Sequence, residues 1–539
     1  MEQLGFRRFG RVRAALMCGY VLVGCDIQGQ ADTWYGAPHI SGSGASGSDA
    51  ERSRKDPNIS EDATLPADAP PSPWATPRRH LGSNQDAADL SQIGLPTGRR
   101  RATGLILITV DTLRADYLSS YGHTRVLTPT FDRLASGGVL FRRAMAQSTT
   151  TTPSHASLLT SLYLQDHNVY SNFEKLGSAP KTMAEILAKR GFATFAIANM
   201  KHLNPEIGGL GQGFDTFVKS GFFRRAGPSV EIFLRWLDRH RDENPEQPFF
   251  AWIHLADVHT PYRPPEPYNH FYYDGDQSDP NKKSLARVWP LLPSHMSDHP
   301  FFKKWLEGIT DLDWVTAQYQ GAVTYVDDQI GHLLDALEHR DILRQTAVVF
   351  TADHGESLGE HDLYFVHAGL YETTARVPLI TYFPGSKRQG IEVREVVELV
   401  DVLPTVLDYF NISPPHRIRG ESLWPLIRGE MQPSKIAMIE HAGDNQVALR
   451  SERYKYIRHL RDLHVLPAYP FVDGREELYD LKADPAERFN IANKEPQLIA
   501  RFRNLLLERR SKRLAIETGE AELSEETVDV LRALGYVEN

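Results

Sequence analysis

The chain has 539 residues, 41% of them hydrophobic and 24% charged, the balance of an enzyme-sized globular protein with room for one large α/β domain and an accessory. A formal charge of −9 lacks the basic field of a nucleic-acid binder, so no nucleic-acid partner is expected. The two cysteines, Cys18 and Cys25, both lie near the N-terminus, which excludes a disulfide-stapled body, a cysteine metal cluster and a cysteine nucleophile farther along.

Arg7, Arg8, Arg11 and Arg13 precede an apolar run over residues 14–23 that is too short to span a bilayer. This is the pattern of a signal peptide over residues 1–24. The run ends Leu22-Val23-Gly24-Cys25, which resembles a bacterial lipobox. That resemblance implies cleavage before Cys25, lipidation there, and an exported protein held to the cell envelope, facing the periplasm or the outside. The plainer reading is an ordinary signal peptide that happens to contain a cysteine. Residues 25–102 are rich in Gly, Ser, Pro, Ala and Asp, a linker composition that cannot bury a core. No later stretch is apolar enough to cross a membrane, and no internal repeat is present.

From residue 103 strands and helices alternate. Residues 105–110 form a short continuous apolar run, as expected of a strand buried on both faces. Residues 194–198, 249–255 and 346–351 read the same way. Helical patterns cover 130–136, 153–161, 182–190, 230–241 and 314–337. This alternation predicts an α/β fold with a mostly parallel sheet flanked by helices. Such sheets bind ligands at the carboxyl ends of their strands. Two predicted strands end in metal-ligand types: one runs into Asp111, the other into Asp353-His354-Gly355-Glu356. Together they can converge on one divalent ion, although an aspartate after a strand is by itself more often a turn former or helix cap.

Longer motifs surround these residues. They include Leu107-Ile-Thr-Val-Asp-Thr-Leu-Arg-Ala-Asp-Tyr117, Thr151-Thr-Pro-Ser-His-Ala-Ser-Leu-Leu-Thr160, His259-Thr-Pro261, Asp353-His-Gly-Glu356, Tyr371-Glu372 with Arg376-Val-Pro378, and Glu477-Leu-Tyr-Asp-Leu481. From about residue 103 to 492 the chain resembles the sulfatase family of the alkaline phosphatase superfamily. The resemblance implies an alkaline phosphatase-like catalytic domain over 103–430. A smaller C-terminal α+β domain with an antiparallel sheet follows over 431–515, then a tail over 516–539 with a short helix.

The departures from the family are chemically specific. Sulfatases carry a cysteine or serine, converted to formylglycine, where this chain has Thr151; the methyl group on the threonine β-carbon closes that route. His155 stands for an arginine, Thr112 for a second aspartate, His367 for a lysine, and His354 for an asparagine that some members also replace by histidine. A metal-bound threonine hydroxyl can attack a tetrahedral anion. Asp111, Thr151, Asp353 and His354 reproduce the ligand set of threonine-dependent phosphodiesterases of the superfamily. Residues 353–360 with 364–368 also resemble phosphoethanolamine transferases, which use a threonine nucleophile but usually a glutamate as first ligand.

These resemblances imply Thr151 as nucleophile and Asp111, Thr151, Asp353 and His354 as metal ligands. His155, His259 and His367 are then expected to contact the anion or protonate the leaving oxygen. A histidine in the ligand set and one carboxylate fewer shift the expected ion from calcium toward zinc or manganese, with calcium and magnesium still admitted. A second ion on Asp257, His259 and His367 is an alternative to His259 and His367 acting as donors to the anion. The expected function is hydrolysis of a phosphoester; sulfuric ester hydrolysis without formylglycine and a non-catalytic metal- or anion-binding role are the alternatives. The substrate is a small anionic ester, a glycan or a lipid headgroup. Oligomeric state is left open. Plainer roles are expected for Arg376 (ion pair), Glu356 and Glu360 (surface, with orientation of nearby histidines as the alternative), Ser154 (helix cap), residues 271–274 (packing, with a substrate loop as the alternative), the basic residues 509–513 (a solvated face) and residues 528–537 (a docked helix).

Overall fold

The computed structural model describes residues 102–220, 224–292, 297, 300–441, 443, 445–462 and 472–514. The expected signal peptide, Cys25, the linker and the helix at 528–537 lie outside these residues. No helix among the described residues is long and apolar enough to cross a membrane.

An eight-stranded sheet is ordered β10-β2-β9-β6-β1-β5-β3-β4. Its strands are β1 (Gly104–Val110), β2 (Val139–Met145), β3 (Ala193–Ala198), β4 (Thr216–Val218), β5 (Phe249–Leu255), β6 (Thr346–Ala352), β9 (Arg376–Tyr382) and β10 (Ile391–Glu398). Every residue of β1, β5 and β6 is buried, which is why these segments read as unbroken apolar runs. β1 pairs in parallel with both β5 and β6, whereas β9 runs antiparallel to its neighbours β2 and β6. A two-stranded ribbon, β7 (Ser357–Leu358) with β8 (Tyr364–Val366), follows β6.

The helices that cover the sheet are α1 (Pro129–Gly137), α2 (Thr151–Thr160), α3 (Met183–Ala188), α4 (Ala226–Glu243), α5 (Leu312–His339) and α6 (Val402–Phe410). They form two groups: α1 and α4 pack on α5, while α3 and α6 pack on α2. One large core joins them to the sheet. The α/β class is therefore as expected. The sequence reading had omitted β4, which is only three residues long, and also β2, β9 and β10. Arg142 and Arg143 interrupt β2, Pro378 lies within β9, and β10 alternates charged with apolar residues, so none is a continuous apolar run.

A four-stranded antiparallel sheet lies toward the C-terminus: β11 (Ala437–Glu440), β12 (Gln446–Arg450), β13 (Tyr454–His459) and β14 (Glu476–Asp480). Helix α7 (Pro496–Ser511) covers it, with Phe502 stacked on Tyr456 at 5.7 Å between centroids. The basic residues on α7 are not simply solvated. Arg509 donates to the Ile436 carbonyl at 2.5 Å and Arg510 lies 4.0 Å from Glu440. The aromatic stretch packs as expected: the Tyr272 hydroxyl lies 2.6 Å from Thr324 Oγ1 on α5.

Candidate active site

Strand register builds the site. Val110 pairs with Leu255 on one side and with Ala352 on the other, so β1, β5 and β6 end level. Asp111 and Asp353 therefore leave adjacent strands side by side. Thr112, next in the chain, has φ of 57°, a left-handed conformation unusual for a β-branched residue. Its hydroxyl donates to the Val258 carbonyl at 2.9 Å, and the Tyr319 hydroxyl donates to the Thr112 carbonyl at 2.9 Å. Held this way, the Thr112 N–H points at Asp353 Oδ1, 3.3 Å away. The strain thus serves to orient a carboxylate at the strand ends.

Asp111, Asp353 and His354 are fully buried, and each offers a ligand atom within 4.8 Å of the others. His354 Nε2 lies 3.7 Å from Asp111 Oδ1, 3.5 Å from Asp353 Oδ2 and 3.4 Å from Thr151 Oγ1. The other ring nitrogen, Nδ1, is 3.0 Å from the Gly355 carbonyl, which can only accept; Nδ1 therefore carries the hydrogen and Nε2 keeps its lone pair. Both oxygens of Asp111 and Oδ2 of Asp353 are buried without a hydrogen-bond partner. Orphaned carboxylate oxygens are costly in a fold, and a divalent cation is the partner this set fits. Two carboxylates, an imidazole lone pair and a hydroxyl are donors that zinc or manganese accepts. Burial and the Asp111 charge push the Asp353 carboxyl well above its ordinary range. Burial acts the same way on Asp111, but the charges of His259, His254 and His354 outweigh it and hold that group down.

Thr151 opens helix α2, with extended Thr150 in the cap position. The expectation that Ser154 caps this helix is corrected. It lies inside the first turn, and its hydroxyl donates to the Asp353 carbonyl at 2.6 Å, tying α2 to the end of β6. His155 is also not where an anion contact requires it. It is fully buried between helix and sheet, with Nδ1 at 2.8 Å from the Thr151 carbonyl and Nε2 at 3.1 Å from Thr109 Oγ1. Both nitrogens are spent inside the protein, so its geometry suits supporting the backbone of Thr151.

His259 and His367 do reach the cluster. Their rings are 5.0 Å apart, and the His367 ring is 4.7 Å from that of His354. Glu356, expected at the surface, is fully buried and lies 3.1 Å from His367 Nδ1. Burial pushes His367 down, but the Glu356 carboxylate outweighs it and the group is raised; burial lowers His259 and takes His354 down to about 3. Glu360 accepts from Arg114 at 2.8 Å, and Arg376 lies 3.6 Å from Glu372, a structural pair as expected. His361 stacks on Tyr371 at 3.5 Å.

Asp257 does not join the histidines. Burial pushes its carboxyl up to about 7, and the opposing charge of Arg225 is too weak to offset that. Among the described residues, the group of three or more His, Cys, Asp and Glu able to hold an ion is Asp111, Asp353 and His354, so the set for the alternative second ion is not assembled.

Sequence reading missed two histidines. His254, at the end of β5, places Nε2 3.5 Å from Asp111 Oδ2. A polar residue interrupting the apolar run one position before the end of β5 was the available signal. His202, beyond the end of β3, has a buried Nε2 without a hydrogen-bond partner and lies within electrostatic range of Asp111. Its only signal was its place after a parallel strand.

Residues 104–412 match the family described as sulfatase, and residues 359–512 match the one described as N-sulphoglucosamine sulphohydrolase, C-terminal. An arylsulfatase of Clostridium perfringens is 28% identical over 72% of this chain and 90% of its own length. A multifunctional alkaline phosphatase superfamily protein, PehA, of Trinickia caryophylli is 25% identical over 72% of this chain and 91% of its own. The crystal structure of a phosphonate monoester hydrolase of Agrobacterium radiobacter superposes with a TM-score of 0.61 at 23% identity, covering 77% of this chain and 96% of that one.

Proposed function

This chain belongs to the sulfatase family of metal-dependent ester hydrolases, and from that premise we propose that it cleaves a phosphoester with Thr151 as the nucleophile. One observation carries the reading: the Thr151 hydroxyl lies 3.4 Å from the His354 lone pair, beside carboxylate oxygens that have no other partner. Asp111, Thr151, Asp353 and His354 are the residues that would hold the ion. When bound, a divalent ion lowers the pKa of a coordinated hydroxyl and offsets the charge of an anionic ester.

The chain's own residues supply the rest. Thr151 sits at the N-terminus of the ten-residue helix α2, where backbone dipoles favour an anion. His155 holds the Thr151 carbonyl and Ser154 holds that of Asp353, so nucleophile and ligand keep their separation. The Thr151 hydroxyl gives up its proton to water as its oxygen bonds to phosphorus, and the ester oxygen leaves with a proton from His367 or His259. Water then cleaves the threonine phosphoester and restores the hydroxyl. The substrate classes in this proposal are a small ester, a glycan or a lipid headgroup.

A second reading, sulfuric ester hydrolysis without formylglycine, is favoured by the sulfatase names of the relatives. The third, a non-catalytic binder, has against it the retained Asp111, Asp353 and His354 cluster. Turnover of an aryl phosphate monoester, an aryl phosphodiester and an aryl sulfate by wild type and Thr151→Ala, with metal added, separates them. Phosphoester turnover that disappears in the variant is expected. Sulfate turnover alone refutes the proposal, and a metal-loaded protein inert on all three favours the third reading. We further propose domains at 103–430 and 431–515, and envelope anchoring through lipid on Cys25. Loss of membrane fractionation in Cys25→Ala is the expected result for the latter.

A further inference from the structure

We infer that Glu356 is a positioning residue that holds His367 and the loop of His259 as one unit facing the metal-capable cluster. The inference rests on the reading of His367 as a substrate contact. Glu356 is 0% exposed, and its ion-pair partner is His367, whose side chain is 25% exposed. A fully buried carboxylate is costly unless its oxygens are bonded. Here both oxygens are spent on residues of the histidine loops. Oε1 lies 3.1 Å from His367 Nδ1, and Oε2 accepts from the Thr260 hydroxyl at 2.9 Å. Thr260 directly follows His259, so one carboxylate spans the two segments that bring these rings to 5.0 Å from each other.

The chemistry of the contact fixes the ring. A carboxylate accepts and does not donate, so Nδ1 of His367 carries the hydrogen. Nε2 is then the nitrogen that keeps the lone pair for a substrate oxygen, on a ring whose centroid lies 4.7 Å from that of His354. Without Glu356 the ring is free to turn about its side-chain torsions, and either nitrogen can carry the hydrogen. Removing such an outer partner typically costs about 10–100-fold in activity or affinity.

A double-mutant cycle on the full-length, metal-loaded protein tests this. Wild type, Glu356→Gln, His367→Ala and the double variant are compared for kcat and KM on the 4-nitrophenyl ester that wild type turns over. They are also compared for the dissociation constant of inorganic phosphate, measured by calorimetry. Glu356→Gln is expected to lower kcat/KM about 10–100-fold with metal content unchanged. In the His367→Ala background the same change is expected to cost less than about twofold, and phosphate affinity is expected to follow the same pattern. Losses that add, or a Glu356→Gln protein with lowered melting temperature but unchanged kcat/KM, overturn the inference. Glu356→Asp, which keeps the charge but is one methylene shorter, enters the cycle if the glutamine variant fails to fold. The phosphate arm needs no turnover. Failure of the Thr151 proposal, seen as activity retained in Thr151→Ala, is therefore distinct from failure of the positioning role.

Discussion

Asp111 and Asp353 lie fully buried with three carboxylate oxygens that find no hydrogen-bond donor, so the change Asp111→Asn separates what the fold wants from what the site needs. Ligand atoms of the two groups lie within 4.8 Å of each other. Two unit charges at such a distance repel by about 3 kcal/mol at an effective dielectric of 20, and protonation of Asp353 only reduces that figure. At pH 8 His259 and His354, both lowered by burial, are neutral and no longer offset that repulsion, so the chelator-treated asparagine variant is expected to be more stable than chelator-treated wild type, by about 1–3 kcal/mol. Metal reverses the order. At a free concentration one hundred times its dissociation constant, an ion stabilises the wild type by about 2.7 kcal/mol, and the variant, short of one ligand, gains less than about 1 kcal/mol. Urea unfolding at pH 8, with EDTA and with added zinc or manganese, measures all four values. A chelated variant less stable than chelated wild type refutes the repulsion argument. Equal metal stabilisation of both proteins refutes Asp111 as a ligand.

Thr151→Ser keeps a hydroxyl at the start of α2 and is expected to retain measurable ester turnover, whereas Thr151→Ala loses at least about a thousandfold in kcat with metal content intact; initial rates and elemental analysis check both. Glu477 is pushed up by burial, but hydrogen bonds from His459 and Tyr479 and the charge of Arg475 outweigh it and hold the carboxyl down at about 2. A lowered carboxyl stabilises the fold above its unfolded pKa and loses that stabilisation as pH falls toward the folded value, so wild type is expected to lose about 3 kcal/mol between pH 4.5 and 2 that Glu477→Gln has already lost at pH 7; equal pH slopes for the two proteins refute it. Ser154→Ala removes the 2.6 Å hydrogen bond to the Asp353 carbonyl. It is expected to cost about 1–3 kcal/mol in denaturant unfolding, because that buried carbonyl loses a donor. A helix-cap role at the surface would leave the Asp353 end of β6 untouched, and weaker metal binding in this variant distinguishes the two.

Local chemistry made much of the molecule legible in the chain. β1, β5 and β6 were readable because a strand covered on both faces is a run of apolar residues. Asp111 and Asp353 were readable because each directly follows such a run. β2, β9 and β10 were not, since arginines, a proline and charged residues break their apolar patterns, and β4 was not because it is only three residues long. Glu356 was misread for a similar reason: in sequence it is one acidic residue before a polar turn, and only its contact with His367 and Thr260 shows it to be internal.

By itself, then, the sequence determined the α/β class, the strand ends that carry acidic residues, and the presence of Thr151 where the sulfatase resemblance implies a cysteine or serine. Each of these depends on residues that are neighbours along the chain. Tertiary structure alone decided which histidines face the cluster. It turned His155 inward onto Thr109 and the Thr151 carbonyl, brought His254 to Asp111, and left Asp257 with Arg225. The physical reason is that a side chain's partners are set by sheet register and loop packing. Those join residues as distant as Thr112 and Asp353, 241 positions apart, and no local pattern encodes them.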